Sequence, residues 1–184
     1  GEAESFPAEG LAGPFEWGAA SDWSVCAFDA EGRATCRAVV NAWSGQEIDL
    51  PEARWSQVSL GEDHGCGIDL DGALRCWGRD PDWGGTGFGQ PPAGTYVALD
   101  VSDASAAAVT DSGRLRSWGG TPSFRPDLDE AGPFLDVVAA EDLICGLKAD
   151  GSVRCWGEMV SGDLPTDWQP GPLEQIEGFS WGAG

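Results

Sequence analysis

Histidine, asparagine and lysine occur once each in the 184 residues, as His64, Asn41 and Lys148. A single histidine gives no imidazole cluster, and no Cys-x-x-Cys occurs, so a zinc site ranks below other readings of the six cysteines. Asn41 is followed by Ala42-Trp43, which excludes an N-glycosylation acceptor. Basic residues are few: 31 acidic side chains face 10 basic ones, for a formal charge of −21. Such a field repels nucleic acid and anionic membrane surfaces. A salt-adapted source and ordinary secreted acidity both fit that balance. No apolar run is long enough to span a bilayer, so no membrane insertion is expected. No stretch carries a helical period. The sequence opens Gly1-Glu2-Ala3 without an initiator Met or a charged-then-apolar leader, which reads as a processed, trimmed or partly observed chain, a removed signal peptide being the simplest explanation.

What is there is repetition. Taking Cys66 as position zero, Gly72, Cys76, Trp77 and Gly78 stand six, ten, eleven and twelve residues on. The same offsets from Cys145 give Gly151, Cys155, Trp156 and Gly157; from Ala107 they give Gly113, Ser117, Trp118 and Gly119. From Cys26 they give Gly32 and Cys36, then Arg37 and Ala38 in place of Trp-Gly. Anchors at 26, 66, 107 and 145 set a period of about 40 residues, the signature of a repeat architecture.

The Gly six residues after the anchor suits a three-residue hairpin loop ending in a left-handed Gly, namely Gly32, Gly72, Gly113 and Gly151. That register sets positions zero and ten opposite each other in a non-hydrogen-bonded pair, where side chains lie closest. A disulfide closes there without moving the backbone. Repeat three loses both cysteine positions together, as a bonded pair would. The reading is therefore Cys26–Cys36, Cys66–Cys76 and Cys145–Cys155, preferred over six buried free thiols. Disulfides point to an oxidising compartment, secreted or at the cell surface.

Residues 1–14 form an arm rich in Gly, Ala, Pro and Glu, and 15–184 a single repeat domain. Repeats open at Phe15, Trp55, Tyr96 and Phe134, each 11 residues before its anchor. Each unit reads as a strand, a turn, a hairpin and a variable connector with room for a further short strand, which describes a propeller blade. The expected class is all-β: a β-propeller or partial propeller of four blade-like repeats plus a terminal extra strand. That strand is Phe179 to Gly184, which echoes Phe15-Glu16-Trp17-Gly18-Ala19-Ala20 and starts a fifth unit. It is completed by another segment, such as the 1–14 arm, or by a chain that runs on.

The pattern Gly61-x-x-His64-x-Cys66, Asp71-Gly72, Cys76-Trp77-Gly78 resembles the regulator of chromosome condensation repeat family in its bacterial, cysteine-bearing form. The resemblance covers Phe15 to about Gly157. It implies a propeller, commonly seven-bladed, that serves as a protein-binding platform; members include a nuclear exchange factor, a plant light sensor and a secreted bacterial inhibitor of β-lactamases. This chain departs from the pattern in having four units, and Ser24, Ser105 and Leu143 stand where His64 does. Acidity and disulfides argue against a chromatin role.

Trp77, Trp118 and Trp156 recur at one repeat position and are read as stacked core. The connectors carry Trp43, Trp83, Phe124 and Trp168, aromatic anchors on loops and the candidate binding residues for another protein or a surface polymer. The competing reading has these rings covering blade edges. Asp69-Leu70-Asp71-Gly72 is read as a hairpin turn rather than a calcium loop, since downstream ligands are missing. A triad through His64 lacks a nucleophile elbow, and nothing marks a carboxylate pair for glycoside hydrolysis, so no enzyme, metal or cofactor is expected. The functional expectation is a secreted, non-catalytic binding module. The alternative is a structural subunit that self-assembles through its open blade edges and Phe179 to Gly184; a hydrolase ranks third. Three disulfides predict a denatured, non-reduced mass about 6 Da below the reduced mass; equal masses would remove the case for an oxidising compartment.

Overall fold

The computed structural model describes residues 13–21, 24–38, 50–61, 64–78, 91–103, 105–119, 128–140 and 143–157. They form four antiparallel sheets, one per repeat. Blade one holds β1 (Trp17–Ala20), β2 (Ser24–Phe28) and β3 (Ala34–Ala38). Blade two holds β4 (Trp55–Leu60), β5 (His64–Asp69) and β6 (Leu74–Gly78). Blade three holds β7 (Tyr96–Val101), β8 (Ser105–Thr110), β9 (Leu115–Gly119) and β10 (Asp129–Glu130). Blade four holds β11 (Phe134–Ala140), β12 (Leu143–Lys148) and β13 (Val153–Gly157). Strand order follows the chain within each blade, so each sheet is a meander.

Each hairpin turns on a Gly with φ between 74° and 79°, at Gly32, Gly72, Gly113 and Gly151. Cys26, Cys66 and Cys145 face Cys36, Cys76 and Cys155 across these hairpins and are disulfide-bonded, with Cα atoms 4.0–4.1 Å apart. Blade three replaces the bond. Ala107 is fully buried, and the Ser117 hydroxyl accepts the Leu128 amide at 2.9 Å, drawing the connector in just ahead of β10.

The hairpin face that carries the cysteines packs on the next blade. Cys66, Ile68, Leu74 and Cys76 meet Tyr96, Leu99 and Val101. Ala107, Val109 and Leu115 meet Phe134, Val137 and Ala139. Cys26 and Phe28 meet Trp55 and Val58. In each receiving strand the buried residues are three apart, a spacing that an unbroken strand would put on opposite faces. A register shift after Trp55, Tyr96 and Phe134 resolves this: the extra residue, Ser56, Val97 or Leu135, is bulged out.

One backbone bond recurs at every junction. The Trp55 amide donates to the Gly32 carbonyl (2.8 Å), Tyr96 to Gly72 (2.9 Å) and Phe134 to Gly113 (3.0 Å). The turn of one blade thus holds the first residue of the next. At Gly32 the fit leaves no room for a side chain: a Cβ would lie 2.5 Å from the Trp55 carbonyl oxygen. Gly32→Ala, strained in φ and blocked by backbone, should destabilise the chain by about 1–3 kcal/mol in denaturant unfolding. An unchanged midpoint would mean that the blade one–two junction is not built this way.

Candidate functional site

The connector aromatics Trp43, Trp83, Phe124 and Trp168 lie outside the described residues, as do Phe179 to Gly184. What the structure gives is where their connectors start. Ala38, Gly78, Gly119 and Gly157 end the last full-length strand of each hairpin and pair with Ser24, His64, Ser105 and Leu143. All four connectors therefore leave from the same edge of their blades, opposite the hairpin turns. Gly78 (φ 95°) and Gly119 (φ 78°) take the left-handed conformation as the chain leaves β6 and β9.

That edge is stitched between blades by polar side chains. His64 Nε2 lies 2.9 Å from the Ser102 carbonyl oxygen, which can only accept, so Nε2 carries the proton. Ser105 repeats the contact one blade on, with its hydroxyl 3.3 Å from the Ala140 carbonyl. His64 and Ser105 thus share a task that their side-chain types disguise in the sequence. A second seam runs between first strands. The Ser59 hydroxyl accepts the Val101 amide (3.0 Å) and donates to Asp100 (2.9 Å); Asp100 in turn accepts the Ala139 amide (2.8 Å). Gln57 adds a bond to the Leu99 carbonyl (2.8 Å). Asp100 thereby joins blades two, three and four.

Burial pushes the Asp100 carboxyl above its ordinary range; its bonds to Ala139, Ser59 and Val101 pull the other way, and nearby Asp136 adds to the rise. The turn aspartates behave oppositely. Asp69 accepts the amides of Asp71 and Ala73 and pairs with Arg75. Burial alone would raise it, but the Ala73 amide, the Arg75 guanidinium and the Asp71 amide hold it below the usual range. Asp29 is lowered chiefly by its bond to Arg33, and Asp129 by Arg114. Asp69-Leu70-Asp71-Gly72 is accordingly a hairpin whose first carboxylate is engaged by its own loop.

Of the recurring tryptophans, Trp77 and Trp118 are buried, Trp77 against Trp55 with centroids 5.3 Å apart. Trp156 is half-buried, 6.0 Å from Phe134. Residues 55–82 match the family model of the regulator of chromosome condensation (RCC1) repeat. Blade two thus carries an RCC1-type repeat. The match falls on blade two and the start of its connector. No curated protein matches the sequence. Among solved structures, the CRINKLY WD40 ectodomain of the Arabidopsis thaliana receptor kinase ACR4 aligns with TM-score 0.62 at 22% identity, over 83% of this chain and 53% of that one. Prp20p of Saccharomyces cerevisiae, studied with its binding to Gsp1p and histones, gives 0.60 at 16%, over 79% and 44%. Yeast RCC1 (Prp20) bound to Kap60 gives 0.59 at 16%, over 78% and 42%. The chain thus spans about half the length of these structures, and at such identities the likeness concerns the fold.

The sign of the pH response follows from these aspartates. Stability from Asp29, Asp69 and Asp129, whose folded values are depressed, is present at neutral pH and lost as pH falls through those values. Asp100, whose folded value is raised, costs stability once pH exceeds its unfolded value, in full above the folded one; that cost disappears on acidification. Asn keeps an acceptor for Ala139 and a donor toward Ser59, so Asp100→Asn should raise Tm at pH 7 by about 2–4 °C and lose that advantage in acid. A lowered Tm at pH 7 would contradict this account of the seam.

Proposed function

We propose that the chain is an extracellular, non-catalytic binding module that engages another protein or a surface polymer through its connector aromatics, Trp43, Trp83, Phe124 and Trp168. The observation that carries this is the common edge from which the connectors start on a disulfide-braced array; aromatic rings on variable loops are effective anchors. Three disulfides and the likeness to a receptor ectodomain support an extracellular place. Relatives of this fold that bind proteins, such as the Prp20 that Kap60 binds, support the class of partner.

A second reading, a building block joined through its open blade edges, is favoured by the direction of the junction bond. Each turn carbonyl holds the blade that follows, and blade four presents Gly151 in the same turn conformation.

Replacing Trp43, Trp83 and Trp168 together by Ser should weaken capture of extracellular partners by immobilised protein by about 30-fold or more, with the native mass unchanged. Undiminished capture would show that the connectors are not the binding site.

A further inference from the structure

The face of blade four that points away from blade three has the composition of a junction. By position, Cys145, Leu147, Val153 and Cys155 match Cys66, Ile68, Leu74 and Cys76, which receive blade three. Blade three packs on blade four mainly through β7 and β8 against β11, with Phe134, Val137, Ala139 and Ile144 turned toward blade three. Yet Leu147 is 0% exposed, Cys145 9%, and Gly151 is buried. Two seam positions are apolar here: Val138 stands at the Ser59 and Asp100 position and Leu143 at that of His64 and Ser105, while Asp136 stands at that of Gln57. An occupant of this face is therefore held chiefly by apolar packing and by the backbone, through the Gly151 carbonyl.

We propose that Phe179 to Gly184 of the same chain docks on this face as the first strand of a fifth blade, with the Phe179 amide on the Gly151 carbonyl. Of the second reading above this keeps only that the edge of blade four takes a strand, and it assigns that strand to the same chain. Three observations support it. Phe179-Ser180-Trp181-Gly182-Ala183 repeats the opening of blade one in phase, with the aromatic first residue that follows Gly32, Gly72 and Gly113 at each junction. In a chain of charge −21 the segment is uncharged, and Cys145, Leu147, Val153 and Cys155 of the face are apolar. Residues 158–178 form a longer connector than 39–54, 79–95 or 120–133, each of which suffices to reach the next opening residue. The 1–14 arm, by contrast, carries Glu2, Glu4 and Glu9.

The test is the rate at which a water-soluble dithiol reduces each disulfide, followed by differential alkylation and peptide mass spectrometry. Reduction requires access to sulfur, so an uncovered bond reacts faster. Deleting residues 179–184 should speed reduction of Cys145–Cys155 by about tenfold or more while leaving Cys66–Cys76 unchanged. If the deletion loosens the whole chain, both bonds accelerate, and Phe179→Ser in the full chain then serves as the selective variant. Equal rates at Cys145–Cys155 in that variant and the parent overturn the proposal. Acceleration on deleting residues 1–12 instead assigns the face to the arm and also overturns it. Protection that falls on dilution means that the strand comes from a second copy, which overturns docking within the chain and leaves the assembly reading standing.

Discussion

The bond from a turn glycine's carbonyl to the amide that opens the following blade is the constraint on which the rest depends. A three-stranded meander cannot bury two faces by itself, so each blade is completed by its neighbours. The bond fixes where that neighbour begins, and the bulge just after it rotates the incoming strand so that residues three apart reach the same cluster. Packing then follows: Trp55 with Val58, Tyr96 with Leu99 and Phe134 with Val137 each enter the cluster formed with the preceding hairpin. The left-handed turn glycine is needed on two counts, for its own φ and, at Gly32, for the close approach of the Trp55 backbone.

Onto this frame two kinds of reinforcement are added, and they are not distributed evenly. Disulfides brace the hairpins of blades one, two and four. Blade three lacks one and instead has the most connected position: Asp100 reaches both flanking blades, Ser105 reaches blade four, and the Ser117 hydroxyl holds the segment leading into a fourth strand. A buried carboxylate in that role is a compromise, since it satisfies donors from two blades while resisting ionisation. At the turn aspartates the balance falls the other way: amides and an arginine outweigh burial at Asp69, and Asp29 pairs with Arg33.

Much of the architecture is legible in the sequence because it rests on short, exact offsets. Cysteines ten positions apart with a Gly at the sixth dictate loop and register together, and the structure pairs Cys66 with Cys76 accordingly. The bulges are harder to read. Trp55 and Val58 violate strand alternation, which in retrospect signals an inserted residue, but three apolar positions do not separate a bulge from irregularity. The seams are harder still: His64 and Ser105 do one job with unlike side chains, and the contacts of Ser59 and Asp100 span about one repeat each, so no local pattern exposes them. The connector aromatics sit in segments of variable length and composition, where the repeat imposes no register.

A scaffold of this kind separates stability from recognition: junctions hold the hairpins, and loops leaving a common edge remain at liberty to vary. The central claim, that the backbone bond from each turn glycine sets where the next blade begins, is tested most directly by amide hydrogen exchange resolved to individual residues. Trp55, Tyr96 and Phe134 should exchange among the slowest amides of the chain, together with those of β5, β8 and β12. Exchange of these three amides at the rate of solvent-exposed positions, with the hairpins still protected, would show blades that fold separately and are not joined in this way.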